Sequence, residues 1–150
     1  MVRNDSNLKL EDVRQYLQML HDIINRMASN SSNCKAWAIT LFPAMAALFL
    51  GVDEARQWFW IVLIPIALFY FLDAYYLGLE NDFRNLESSF IKRLRSLDDC
   101  SDYIYDFNFA HADGYKKYSN LKKGLTSGAS WPLYSSLAAI SIVLNIVFAL

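Results

Sequence analysis

One carboxylate, Asp73, stands in the run Gln57 to Leu79, whose 23 residues carry no other charge. An ionised side chain in lipid costs several kcal/mol, so a carboxylate placed there is either tied down by hydrogen bonds or put to use. In the first case Asp73 accepts from Asn33, Thr40 or a tyrosine such as Tyr76 and fixes two helices together. In the second it belongs to a carboxylate ring at the mouth of an oligomeric pore, which favours cations. A second candidate is basic: Tyr115, Lys116, Lys117, Tyr118, Lys122 and Lys123 interleave cations with aromatic rings. That mixture can hold phosphates and stack on bases, and it is also what anchoring on anionic lipid requires. Lys92, Arg93 and Arg95 form a smaller cluster of the same kind. His21 and His111, the latter near Asp113, are the only histidines. No His-Glu-x-x-His, Cys-x-x-Cys, Gly-x-Ser-x-Gly or glycine-rich phosphate loop is present, so the residues point to no enzyme, no metal centre and no cofactor.

The elements that must carry these groups follow from where the apolar residues lie. Of 150 residues 55% are hydrophobic and 15% aromatic, above soluble usage, and the excess falls in three blocks. Ala36 to Val52, Gln57 to Leu79 and Trp131 to Leu150 contain 17, 23 and 20 residues with none, one and no charges. As helices they reach roughly 26, 34 and 30 Å, against a hydrocarbon core near 30 Å. The expected fold is therefore an all-α integral membrane protein with three transmembrane helices. Residues 1–35 form an amphipathic helix, 36–79 a transmembrane hairpin, 80–130 a cytoplasmic helix and connection, and 131–150 the third span.

Orientation comes from the cations. Thirteen of the fourteen Lys and Arg lie before the first block or between the second and third, and only Arg56 lies in the first loop. The positive-inside rule then places the N-terminus in the cytoplasm and the C-terminus outside, in the periplasm if the membrane is a bacterial inner membrane. Thirty-five mostly polar residues precede the first block with no cleavage site, so the mature chain is expected to begin near Met1. Cys34 and Cys100 fall on the cytoplasmic side, where thiols stay reduced. A net charge of −1 gives no global pull toward nucleic acid.

Leu10, Val13, Leu17, Leu20, Ile24 and Met27 recur at alternating spacings of three and four, a coiled-coil seam that wants a partner helix. A different face carries Asn25, Ser29, Ser32 or Asn33, Ala36, Thr40, Ala44 and Ala47. That small, polar stripe fits close helix packing, and it equally fits the wall of a water-filled path. Asp53 to Arg56 predicts a tight turn, with Trp58 and Trp60 at the outer interface. Pro43 and Pro65 fall inside spans, where each frees a carbonyl and can kink its helix. The second span continues as a helix to about Ser96, with Glu80 and Arg84 four apart in the favourable order. Tyr103, Tyr105, Phe107 and Phe109 alternate with polar residues and predict a short strand or an extended surface segment. Gly124, Ser127 and Gly128 mark a flexible approach to the third span, with Ser130 placed to cap it and Pro132 in its first turn.

Ile24-Asn25-Arg26-Met27-Ala28, Lys35-Ala36-Trp37-Ala38-Ile39-Thr40-Leu41, Phe69-Tyr70-Phe71-Leu72-Asp73-Ala74-Tyr75-Tyr76-Leu77, Glu80 and Phe83-Arg84 resemble a pattern in small bacterial membrane effectors of anti-phage systems. The resemblance covers residues 10 to 90 and is to Hailong-type effectors and, more distantly, to two-helix SLATT-type effectors, from whose plan the third span departs. It implies a ligand-controlled, channel-like homo-oligomer that depolarises the inner membrane during abortive infection. It further implies a gating nucleotide or single-stranded oligonucleotide made by a partner nucleotidyltransferase. Three spans cannot enclose a pore alone, so an oligomeric bundle, a tetramer, is expected, assembled through the heptad helix and the small-residue face. Asn25, Ser29, Asn33, Thr40 and Asp73 are the candidate pore or gate residues, and Lys116, Lys117, Lys122 and Lys123 the candidate ligand contacts. The rival class is a non-conducting membrane scaffold or sensor that recruits a soluble partner.

Overall fold

The structure, a computed structural model, describes residues 3–96, 104–112 and 119–149. Its first element, α1, is a single 48-residue helix, Arg3–Leu50, about 72 Å long. No glycine or proline interrupts the sequence before Pro43, and the helix passes through Pro43 as well. Gly51 ends it: its N–H donates to the Ala47 carbonyl at 3.0 Å, and a Cβ there would lie 2.8 Å from that oxygen. A larger residue there would have to shift away from that carbonyl.

The expected tight turn is instead a ten-residue 3-10 helix, Asp53–Val62, held at its start by an Arg56–Asp53 ion pair of 2.9 Å. Pro65 lies inside the apolar segment Asp53–Arg95, in the first turn of the α-helix that follows, α2, Leu63–Arg95, where its missing N–H costs α2 no hydrogen bond of its own. α2 runs 33 residues without a break, and Arg84 pairs with Glu80 at 2.8 Å as the spacing predicts. A short α3, Ser119–Leu125, and a 19-residue α4, Trp131–Ala149, complete the chain. The Ser130 carbonyl accepts from Tyr134 at the head of α4, whereas its hydroxyl, expected as a cap, is buried without a partner.

α1 and α2 form a long antiparallel pair, and both α1 and the segment Asp53–Arg95 are long and apolar enough to cross a membrane. Little of their most apolar stretches is buried within the chain. The outward residues include Trp37, Leu48, Leu68, Phe71, Val143 and Val147, more exposed apolar surface than a water-soluble monomer presents. One core, near the loop, joins Ala38, Ala46, Phe59, Val62, Ile66, Tyr134 and Leu137.

The other core, at the far end, gathers Tyr16, Leu20, Leu86, Phe90 and Ala112. The heptad seam, apart from exposed Leu10, therefore has a partner in the same chain: it packs on α2, whose own apolar face continues past the second span and is able to pack there. His21 Nδ1 adds a 2.9 Å bridge to Glu87 across the pair. No strand forms among the described residues. Ile104 to Asn108 is irregular, a 3-10 turn follows at Phe109–His111, and Asp102 and Tyr103 lie outside the described residues. Tyr105, at φ 64°, takes the left-handed conformation that costs a side-chain-bearing residue about 1–2 kcal/mol. Its ring and those of Phe107 and Phe90 meet Tyr16 edge-on at 6.0, 5.7 and 4.8 Å. The Tyr16 hydroxyl donates to the Asp106 carbonyl at 2.5 Å.

α3 lies against α2 backbone to backbone. A Cβ on Gly78 would stand 3.2 Å from Leu121 Cα, and one on Gly124 only 2.3 Å from the Ala74 carbonyl oxygen. Tyr70 donates to the Leu125 carbonyl at 2.5 Å, and Asn120 donates to Asp82. Gly124→Ala is accordingly expected to lift α3 off α2 at a cost of about 1–3 kcal/mol, read as a lower melting temperature and faster amide exchange in 119–125. The Tyr16 phenol is pushed up from 10.0 to about 12, by burial first and the Asp106 charge second. The folded chain thus holds this proton more tightly than the unfolded one, so the stability it contributes is complete below pH 10 and is lost as pH rises toward 12. Tyr16→Phe should flatten the alkaline limb of helix loss in that window, measured by circular dichroism.

Candidate functional site

The apolar seam of α1 does not stop at Met27. Continued at the same alternating spacing, Leu20, Ile24, Met27, Ser31, Cys34 and Ala38 share one face, and all six are buried. The seam therefore turns polar at Ser31 and Cys34, where it meets Asp73 on α2. Asp73 has no accessible surface. Its Oδ1 accepts from Ser31 Oγ at 2.5 Å and from Lys35 Nζ at 2.8 Å, and Lys35 also donates to Ser31 Oγ at 2.9 Å. The result is a closed triangle of one cation, one anion and one hydroxyl between two apolar helices.

Of the two readings of Asp73, the fixing one matches its place, with different partners. Asn33 and Thr40 are exposed on the other side of α1, and Thr40 Oγ1 donates to the Ala36 carbonyl at 2.8 Å. Lys35 is reached because the side chain one turn beyond Ser31 on the same helix can extend its ammonium sideways to the carboxylate. The signal was in the sequence: a serine and a lysine four apart, in register with the heptad seam, opposite the one carboxylate of the second block. Asp73 lies enclosed between α1 and α2 with no accessible surface.

Asn25, Ser29, Ser32, Asn33, Ala36, Thr40, Ala44 and Ala47 are all exposed. At about 100° per residue they fall within one third of the helix circumference, roughly opposite the seam that holds Ser31 and Cys34. Exposed Trp37, Ile39 and Leu48 flank them. The structure thus separates the candidate pore residues: four lie on an open stripe, and Asp73 is buried behind the helix that carries it. Lys122 and Lys123 are exposed on α3, which packs on α2 and not on the stripe. Lys116 and Lys117, with Tyr115 and Tyr118, lie outside the described residues, as do Cys100 and Asp113. Among the described residues no three His, Cys, Asp or Glu side chains converge as metal ligands would.

No protein-family model matches the chain, and neither curated proteins nor solved structures show a significant similarity to it.

Removing one partner of a buried ion pair leaves the other uncompensated, a loss of about 3–5 kcal/mol when both are fully buried. Lys35 keeps 22% of its side-chain surface and can turn to water, so the effect at this pair belongs at or below the lower end. Asp73→Ala is expected to cost about 2–3 kcal/mol, read as a fall in the thermal midpoint of the purified chain in detergent. Asn33→Ala, on the exposed face, should leave that midpoint within measurement error.

Proposed function

We propose that this chain is a channel-like membrane effector that works as a homo-oligomer, with the α1 stripe turned inward. The observation that carries the reading is the stripe itself. It is a continuous line of small and polar side chains, uncovered by the rest of the chain, on a helix whose other exposed residues in the apolar stretch are large and hydrophobic. In lipid such a face is satisfied by a second helix or by water, and apolar flanks suit contact with neighbouring copies or acyl chains. Copies of α1 arranged about an axis meet both conditions: small residues permit close approach, and Asn25, Ser29, Asn33 and Thr40 line the path. A tetramer is the working stoichiometry.

In this reading α1, the Asp53–Arg95 segment and α4 cross a bacterial inner membrane, with the N-terminus cytoplasmic and the C-terminus periplasmic. The asymmetry of lysine and arginine supports that orientation. The resemblance to anti-phage effectors supplies the biological setting, depolarisation of an infected cell. It also supplies the class of controlling ligand, a nucleotide or oligonucleotide from a partner nucleotidyltransferase, for which Lys116, Lys117, Lys122 and Lys123 are the proposed contacts.

Expression in bacteria with a voltage-sensitive dye, alone and with the neighbouring gene, tests the reading. Depolarisation should appear or vanish with the neighbour, and Ser29→Leu with Thr40→Leu should slow it by at least about tenfold, since an apolar constriction excludes water and ions. An unchanged potential at confirmed membrane levels would favour the non-conducting scaffold.

A further inference from the structure

Half of the polar triangle is unused by the α1–α2 pair. Asp73 Oδ2 is buried without a hydrogen-bond partner, and so is the hydroxyl of Tyr134 on α4. The two are complementary, one able only to accept and the other able to donate. They also belong to one neighbourhood. The Tyr134 ring packs 5.3 Å from that of Tyr70, one turn before Asp73 on α2, and it shares a core with Ala38, one turn beyond Cys34 on α1.

The seam of α1 at this level also explains why a polar contact is needed. Toward the N-terminus the seam is bulky, with Tyr16, Leu20, Ile24 and Met27 filling α2's grooves. Between Met27 and Phe42 it is Ser31, Cys34 and Ala38, after which Phe42 and Met45 pack on the core near the loop. Small side chains give little relief, so at this level dispersion contributes little to fixing the rotation of α1. Hydrogen bonds are directional and do fix it. Turning α1 by one residue, about 100°, would carry Ser31 and Lys35 off the carboxylate and leave it buried and uncompensated.

We propose that Ser31, Lys35, Asp73 and Tyr134 form a rotational latch: the ion pair sets the angle at which α1 presents its polar stripe, and Tyr134 closes on Asp73 Oδ2 to tie α4 to the same point. These are positioning residues, none of which touches what passes along the stripe. The inference rests on the assembly reading only for what the stripe contacts. The angle of α1 is a property of a single copy.

The test is oxidative cross-linking in bacterial membranes, in a Cys34→Ala, Cys100→Ser background at matched membrane levels. With the latch intact, cysteine at Thr40 on the stripe should cross-link copies at least about fivefold better than cysteine at the flanking Ile39. Asp73→Met should bring that ratio to about one, and the exchange Lys35→Asp with Asp73→Lys should restore it. A merely structural role would lower both cross-links together and leave the ratio standing, which would overturn the latch. Tyr134→Phe should lower the ratio about twofold through loss of one hydrogen bond, and no change there removes α4 from the latch. If the parent chain forms no stripe cross-link, the assembly reading fails on its own. The latch is then read within one copy, from a disulfide between cysteines at Ala38 and Ile66, which share a core. Loss of that disulfide in Asp73→Met with recovery in the exchange supports the latch, and unchanged formation overturns it.

Discussion

A carboxylate with no accessible surface, held between two apolar helices, is costly as an anion unless a cation and hydrogen-bond donors meet it where it stands. Asp73 imposes that requirement. It calls for a cation and a hydroxyl on the facing helix, at one height and on one side, and Lys35 and Ser31 meet it four residues apart on α1. Once they do, the register of the antiparallel pair and the rotation of α1 are both determined. The other packing follows: Tyr16 and Leu20 are brought opposite Phe90 and Leu86 at one end, and Ala38 and Ala46 opposite Ile66 and Val62 at the other. A buried ion pair of this kind adds little net stability over a well-packed apolar contact. Its value is that wrong arrangements of the same helices become expensive.

The long helices were legible in the sequence because their signals are periodic and strong. The seam from Leu10 to Met27, the uncharged run from Ala36 and the Glu80–Arg84 pair all lie where they were read. Asp73 stood out for the same reason, being alone in its block. Its partners did not, because Lys35 reads as one of the cations that set orientation, and Ser31 belongs neither to the apolar seam from Leu10 to Met27 nor to the small-residue stripe. Both become visible only when the seam is carried past Met27 into the apolar run. The strand expected near Phe107 failed because alternation of aromatic and polar residues also describes a loop whose rings dock on one helix. Tyr105 and Phe107 dock on Tyr16 in this way. The 3-10 segment after Gly51 is not legible in the same way, because the residue types of Asp53–Val62 do not separate 3-10 from α winding.

The same geometry gives α1 two unlike sides. One is spent on α2, first with large apolar residues and then with the polar triangle. The other is small and polar through the apolar stretch, and nothing among the described residues covers it. Three helices and a short fourth are thus organised so that the least lipid-like surface lies farthest from the intramolecular core. α2 and α4 contribute mainly large apolar side chains to the outside, among them Leu68, Phe71, Ile142 and Val147. The lysines of α3 sit on yet another side, carried by a helix whose glycine is pressed against the α2 backbone.

That α1 is one uninterrupted helix of 48 residues has a consequence for how such a chain can diverge. The Tyr16 contact and the Lys35 contact are read from the same axis, so an inserted or deleted residue between them would turn one against the other by about 100°. A change of seven residues would turn them by only about 20°. Lengths separating these two contacts are therefore expected to vary among descendants of this sequence in steps of seven.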